Sequence, residues 1–364
     1  MRPEPFFSAI LLVLWLYVPA RAGSQIPSKA EPTGGQPVAE FAAPTTGKTI
    51  SLDVEAVDKT GAPISGLHAG DFTILDNGQP QNITSIRAIT LKGAQNPAPV
   101  EIILAIDAIN IGKEALTEEF DWLHKYLGGK GGQLDLPTSF AFFEDRTIKM
   151  QNHPSRDAAA MARYLDSNRP GFRALRTWSN GWGDVEREEI CLKALEYLAT
   201  QGEKRPGRKL LLWIGPGWGS GNDPNAHGIG AKEQQGLFAG IVTAWDELRK
   251  AQMTLDMIDP TISSGRIFDF NYKSFLKGVP EARHAEYGYL LLPALATQSG
   301  GQVLYGSSDL PALIDRCVAD ASSYYVVTYD LPLASHANEY HAIEIKIDQP
   351  GVTTRTRVGY YAQP

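Results

Sequence analysis

Val100-Glu101-Ile102-Ile103-Leu104-Ala105-Ile106-Asp107 is apolar at almost every position until it stops on an aspartate. A strand with one wet face alternates polar and apolar residues, so a continuous apolar run is what a strand covered on both faces requires. Leu116, Phe120, Leu123 and Leu127 follow at steps of four, three and four, the spacing of one helix face. The unit then recurs. Strands at 139–143 and 148–151 lead to a helix over 156–165, and a helix carrying Cys191, Leu195 and Leu198 precedes a second buried strand at 209–214. Leu237, Ile241, Ala244 and Leu248 mark a helix before a strand at 253–258. A helix over 290–298 ends on Gly300-Gly301 ahead of a strand at 302–305, and Leu310, Leu313, Ile314, Cys317 and Ala321 line a last helix. Strands alternating with helices predict an α/β fold, a doubly wound and mostly parallel sheet over 99–323.

Both flanks are β-rich. Residues 49–55 alternate strictly, and a short strand at 72–75 is stopped by Asp76-Asn77-Gly78, a hairpin-turn signal along which 83–89 is expected to return. After the last helix come strands at 324–329, through Ile343, Ile345 and Ile347, and a final one at 353–361. We therefore expect a smaller β module built from 48–98 and 324–364, with the α/β domain inserted into it. Chain ends that lie close together make such insertions easy. Two unrelated β appendages are the alternative.

Residues 6–18 form a short apolar run, preceded by Arg2 and followed by Ala20-Arg21-Ala22. That pattern predicts a secretory signal over 1–22, with an uncleaved anchor as the alternative. Residues 23–47 are rich in Pro, Gly, Ser and Thr and read as a flexible leader. The expected location is outside the cytoplasm: periplasm, cell envelope or extracellular space. No apolar run reaches the roughly 18 to 20 residues of a membrane span.

Composition narrows the function. The 34 basic residues against 41 acidic ones give a net charge of −7, which argues against a nucleic-acid partner. Two cysteines exclude a disulfide-built scaffold and a four-cysteine zinc module. Both lie on apolar helix faces, so buried free thiols are expected, although an oxidising compartment permits a bridge.

The strand at 100–107 resembles the first strand of von Willebrand factor A domains, which ends on an aspartate. Gly61-Ala62-Pro63-Ile64-Ser65-Gly66-Leu67 with Asp71-Phe72 and Asn77-Gly78, and the closing Gly359-Tyr360-Tyr361, are similar to a bacterial, acidobacterial-type subset of VWFA-related proteins. The resemblance covers residues 48–361 and implies a metal-ion-dependent adhesion site above the sheet. Such a site takes D-x-S-x-S from a first loop, a threonine from a second and an aspartate from a third. Magnesium wants near-octahedral oxygen ligands and keeps several waters, which explains those residue types. Here Asp107 matches the first position, but Ile109 and Ile111 stand at both serine positions. Gly215-Pro216-Gly217 stands where the family carries its aspartate; Thr177 or Ser179 could supply the threonine. An isoleucine cannot ligate a hard cation, so the expectation is a degenerate site with no cofactor.

Asp107 then has three accounts: hydrogen bonding to the following turn or helix, a polar group in the ligand crevice at the strand ends, or residual metal binding. Gly215, Gly217, Gly219 and Gly221 fit neither a dinucleotide nor a phosphate-loop register and read as a flexible loop, and Ser220 in Gly217-Trp218-Gly219-Ser220-Gly221 is one position off a nucleophile elbow. The seven histidines form no H-E-x-x-H. Glu144-Asp145 beside Arg146 reads as a solvated turn. Trp178, Trp182 and Trp218 fall in loops at the carboxyl ends of strands. Core is the ordinary place for tryptophan, but their glycine- and serine-rich surroundings make them candidate binding anchors, with Asp107 and Asn110 as polar accents. The leading expectation is a non-catalytic binding or adhesion module for a protein or envelope polymer. An exported hydrolase with an unrecognised site and a structural envelope component are the alternatives.

Overall fold

The computed structural model describes residues 49–91, 99–144, 147–170, 182–218, 230–261 and 272–364, with backbone alone over 182–186. All of them belong to the unit spanning 41–364. The predicted signal and leader lie outside the described residues.

The chain begins with β1 (Thr49–Val57), β2 (Phe72–Asp76), β3 (Gln79–Gln81) and β4 (Ile83–Thr90). The body follows: β5 (Val100–Asp107), α1 (Lys113–Gly128), β6 (Gln133–Glu144), β7 (Thr147–Met150), β8 (Ser155–Asp157), α2 (Ala158–Ser167), α3 (Trp182–Glu203), β9 (Arg208–Ile214), α4 (Ala231–Lys250), β10 (Met253–Asp259), α5 (Leu292–Gln298), β11 (Val303–Tyr305) and α6 (Leu310–Ala321). Four strands close it: β12 (Ser323–Asp330), β13 (Glu339–Ile347), β14 (Thr353–Arg355) and β15 (Gly359–Ala362).

The large sheet runs β11-β10-β9-β5-β6-β7, with β8 pairing on β6. Its β11, β10, β9, β5 and β6 are parallel and β7 is antiparallel. The fold is the expected doubly wound one. Ile102, Leu104 and Ile106 of β5 enter a core with Leu116, Phe120 and Leu123 of α1 and Ile314 of α6. Ile103 and Ala105 enter a second core with Leu195 of α3 and Ile241 of α4. Every residue of β5 is buried, as its apolar run requires. Cys317 belongs to the first core and Cys191 to the second, and both are free thiols. Among the described residues no helix is long and apolar enough to cross a membrane.

Strands from the two chain ends build two further sheets, β14-β1-β12-β4 and β15-β13-β2-β3, around a third core that includes Leu52, Val54, Ile74, Val327 and Ile345. Two expectations fail here. The return strand of the hairpin is β3, not 83–89. Asn77 and Gly78 both take positive φ (48° and 76°), the two-residue turn that places the next residue directly opposite the last, so Asp76 faces Gln79. Residues 83–90 then cross to the other sheet and pair with β12. The expected last strand is also two, since β14 pairs with β1 and β15 with β13. Between them Val358 N–H donates to the carbonyl of Gln298, which takes the chain out of one sheet and into the other.

Candidate functional site

The order of strands reverses between β5 and β9, and the crevice at the carboxyl ends on either side of such a point is where doubly wound sheets bind ligands. Asp107 ends β5 there, and Trp213-Ile214-Gly215 leaves β9 beside it. Asp107 is 0 % exposed. Its Oδ1 accepts from the backbone N–H of Ile109 (3.1 Å) and of Asn110 (3.0 Å). Its Oδ2 accepts from Asn110 Nδ2 (2.8 Å) and from the indole Nε1 of Trp213 (3.0 Å). Asn110 Nδ2 also lies 3.2 Å from Cys191 Sγ. Burial raises the Asp107 carboxyl above its ordinary value, while the N–H donors of Asn110 and Trp213 oppose that shift.

The residues present do not fit a magnesium site. Both oxygens of Asp107 are engaged by N–H donors, which compete with a cation for the same lone pairs. Ile109 and Ile111 are both buried, Ile109 in the α3–α4 core and Ile111 in the α1–α6 core, so the two side chains anchor the loop to opposite sides of the sheet. Gly215 has φ +126°, and a Cβ there would stand 2.8 Å from the Asp107 Cβ. The backbone at 215 thus leaves no room for the family's aspartate. No group of three or more metal-ligating side chains occurs among the described residues.

The candidate anchors separate. Trp218 is 2 % exposed; its ring meets Trp213 edge-on at 5.1 Å and its Nε1 donates to Leu290 O at 2.9 Å. This corrects the expectation of an exposed anchor. Gly215 and Gly217 both have positive φ and fold the loop back over the sheet, which turns Trp218 inward. Trp182, expected in a loop, opens α3. Trp178, Thr177 and Ser179 lie outside the described residues.

Two participants were not singled out from the sequence. Trp213 read only as core because it sits in an unbroken apolar strand, and periodicity cannot tell that its indole faces a carboxylate. Glu119 was legible: it is three residues after Leu116 and four before Leu123, hence on the buried face of α1. It is 0 % exposed, and neither carboxyl oxygen has a hydrogen-bond partner. Burial first, then the charges of Asp107 and Asp259, hold it well above the usual carboxylate range. On α3, burial pushes Glu188 up to about 7. The Cys191 thiol is raised well above its ordinary value by burial and then by Asp107, which makes it a poor nucleophile.

No protein-family model matches the sequence, and no curated protein does. Solved structures that share similarity include proximal thread matrix protein 1 from the mussel byssus, with a zinc-occupied MIDAS motif (14 % identity, 66 % of this chain and 49 % of that one, TM-score 0.35). The vWF domain of the type V pili tip protein Mfa5 from Porphyromonas gingivalis is another (9 % identity, 62 % and 95 % covered, TM-score 0.37). A von Willebrand factor type A protein from Catenulispora acidiphila is a third (8 % identity, 88 % and 76 % covered, TM-score 0.30). The matched region spans about half the length of the mussel protein's chain.

Proposed function

We propose that this protein is an exported, non-catalytic binding or adhesion module that engages a protein or envelope polymer, without a metal ion, through the loops at the carboxyl ends of the large sheet. The carrying observation is the state of Asp107. Its carboxylate is tied to the backbone N–H groups of Ile109 and Asn110, the Asn110 amide and the Trp213 indole. An adhesion site that works through a cation needs that carboxylate free. Here it braces the loop instead, and recognition falls to the side chains around it. Asn110 is a partly exposed polar group of the crevice, and Trp178 and Trp182 are the aromatic candidates that the sequence offers; Trp218, at 2 % exposed, is left out of the reading.

The test is capture of an envelope-extract partner by the immobilised protein, in magnesium and in chelator, compared with Trp178→Ala, Trp182→Ala and Asn110→Ala. Capture should be equal with and without chelator. At least one tryptophan variant should lose on the order of 2 kcal/mol of binding, about thirtyfold, with its melting temperature kept. Capture abolished by chelator, or unchanged in all three variants, would place recognition elsewhere.

A further inference from the structure

The carboxyl ends of α4 and α5 lie at the end of the sheet opposite Asp107, where residues 356–358 pass between β14 and β15. A small pocket opens there, lined by Trp245 and Leu248 of α4, Leu295 and Gln298 of α5, Ser299, and Arg357. Trp245 is 6 % exposed, and its indole Nε1 has no hydrogen-bond partner. A buried indole N–H ordinarily finds an acceptor, and one left without costs about 1–3 kcal/mol. The guanidinium of Arg357 is partly buried and makes no ion pair or hydrogen bond with any described residue. The acids that attract it are engaged elsewhere. Asp246 is held by Arg249 and by Lys250 at 2.6 Å, and Asp53 lies 3.5 Å from Arg208 Nε. Burial first, then the charge of Arg249, pulls Arg357 down to about 10. Ser299 offers the pocket nothing, because its hydroxyl already donates to Ala296 O and accepts from Leu255 N–H.

We infer that this pocket binds one small monovalent anion, chloride in size and charge, between the Arg357 guanidinium and the Trp245 indole N–H. Two residues with donors that lack acceptors, one of them cationic, line a common space, and no carboxylate is among its lining residues. The space is ≈ 10 Å³, about that of one small body, which favours a monatomic ion over phosphate, sulfate and larger acids. The competing occupant is water. Water could accept from Trp245 and donate to the Gln298 Oε1, which also has no partner, but it would leave the arginine without a direct counter-ion. The anion would pin residues 356–358, and through them β14 and β15, to the α/β body.

Melting the protein in potassium chloride and in potassium gluconate at equal ionic strength tests this, since gluconate is too large to enter. Chloride should raise the melting temperature by about 3 °C or more, and Trp245→Phe and Arg357→Gln should each abolish the difference. Crystals of the unsubstituted protein grown in bromide should show an anomalous peak between Trp245 Nε1 and Arg357, which decides the matter even where a variant does not fold. Identical melting in both salts, a chloride effect kept by both variants, or a water at that position in bromide would overturn the proposal.

Discussion

Asp107 is the residue on which the site turns, and its surroundings give it a structural role. Its oxygens accept only from N–H groups, so an amide in its place would set one N–H against others. Asp107→Asn should lower the unfolding free energy by about 1–3 kcal/mol, measured by urea titration at pH 7. Glu119 poses the opposite case, a carboxyl with no compensation. Its folded-state value is raised, so the folded protein holds its proton to higher pH than the unfolded chain does. Stability is therefore fullest below the ordinary glutamate value and falls as pH rises above it. Glu119→Met should raise the melting temperature at pH 7 and change it little at pH 4. Glu188, pushed to about 7, adds to the same loss between its ordinary value of 4.5 and 7. Glu188→Gln should flatten the stability profile in that window.

At the scale of elements, the loop that leaves β9 shows why one substitution would not build a metal site here. Gly215→Asp would force a side chain into positive φ and against Asp107. It should destabilise the fold and create no magnesium response. The parent protein should melt at the same temperature in millimolar magnesium and in chelator, whereas a ligand at a hundred times its dissociation constant adds about 2.7 kcal/mol. Trp218 fills the space that this loop closes, and Trp218→Ala should cost about 3–5 kcal/mol of stability by calorimetry. The strands and helices of the body were legible because each buries a face whose period, two or 3.6, is written along the chain. The hairpin partner of β2 was not, because the polar Gln79-Pro80-Gln81 carries no such period and only its place beside β2 makes it a strand.

Across the whole molecule, the sheets built from the chain ends are joined to the α/β body by a buried charge network. Arg208 at the start of β9 donates to Glu55 Oε1 of β1 at 2.6 Å and stacks over Tyr324. Arg355 of β14 reaches both Glu55 and Asp320 of α6 at 2.6 Å. Removing the shared carboxylate would leave two arginines facing each other in a buried setting. Glu55→Ala should cost about 3–5 kcal/mol, and a double-mutant cycle with Arg208→Met should recover part of it.

That division holds for the protein as a whole. The apolar runs, the helix faces and the want of oxygen ligands at Ile109, Ile111 and Gly215 follow from residue types and spacing, since burial and coordination chemistry act on each residue where it stands. Which donors saturate Asp107, which way Trp218 turns, where Arg357 is left without an ion-pair partner, and how the tail divides between two sheets depend on groups far apart in the chain. Those contacts exist only once the backbone has closed, and no local period encodes them.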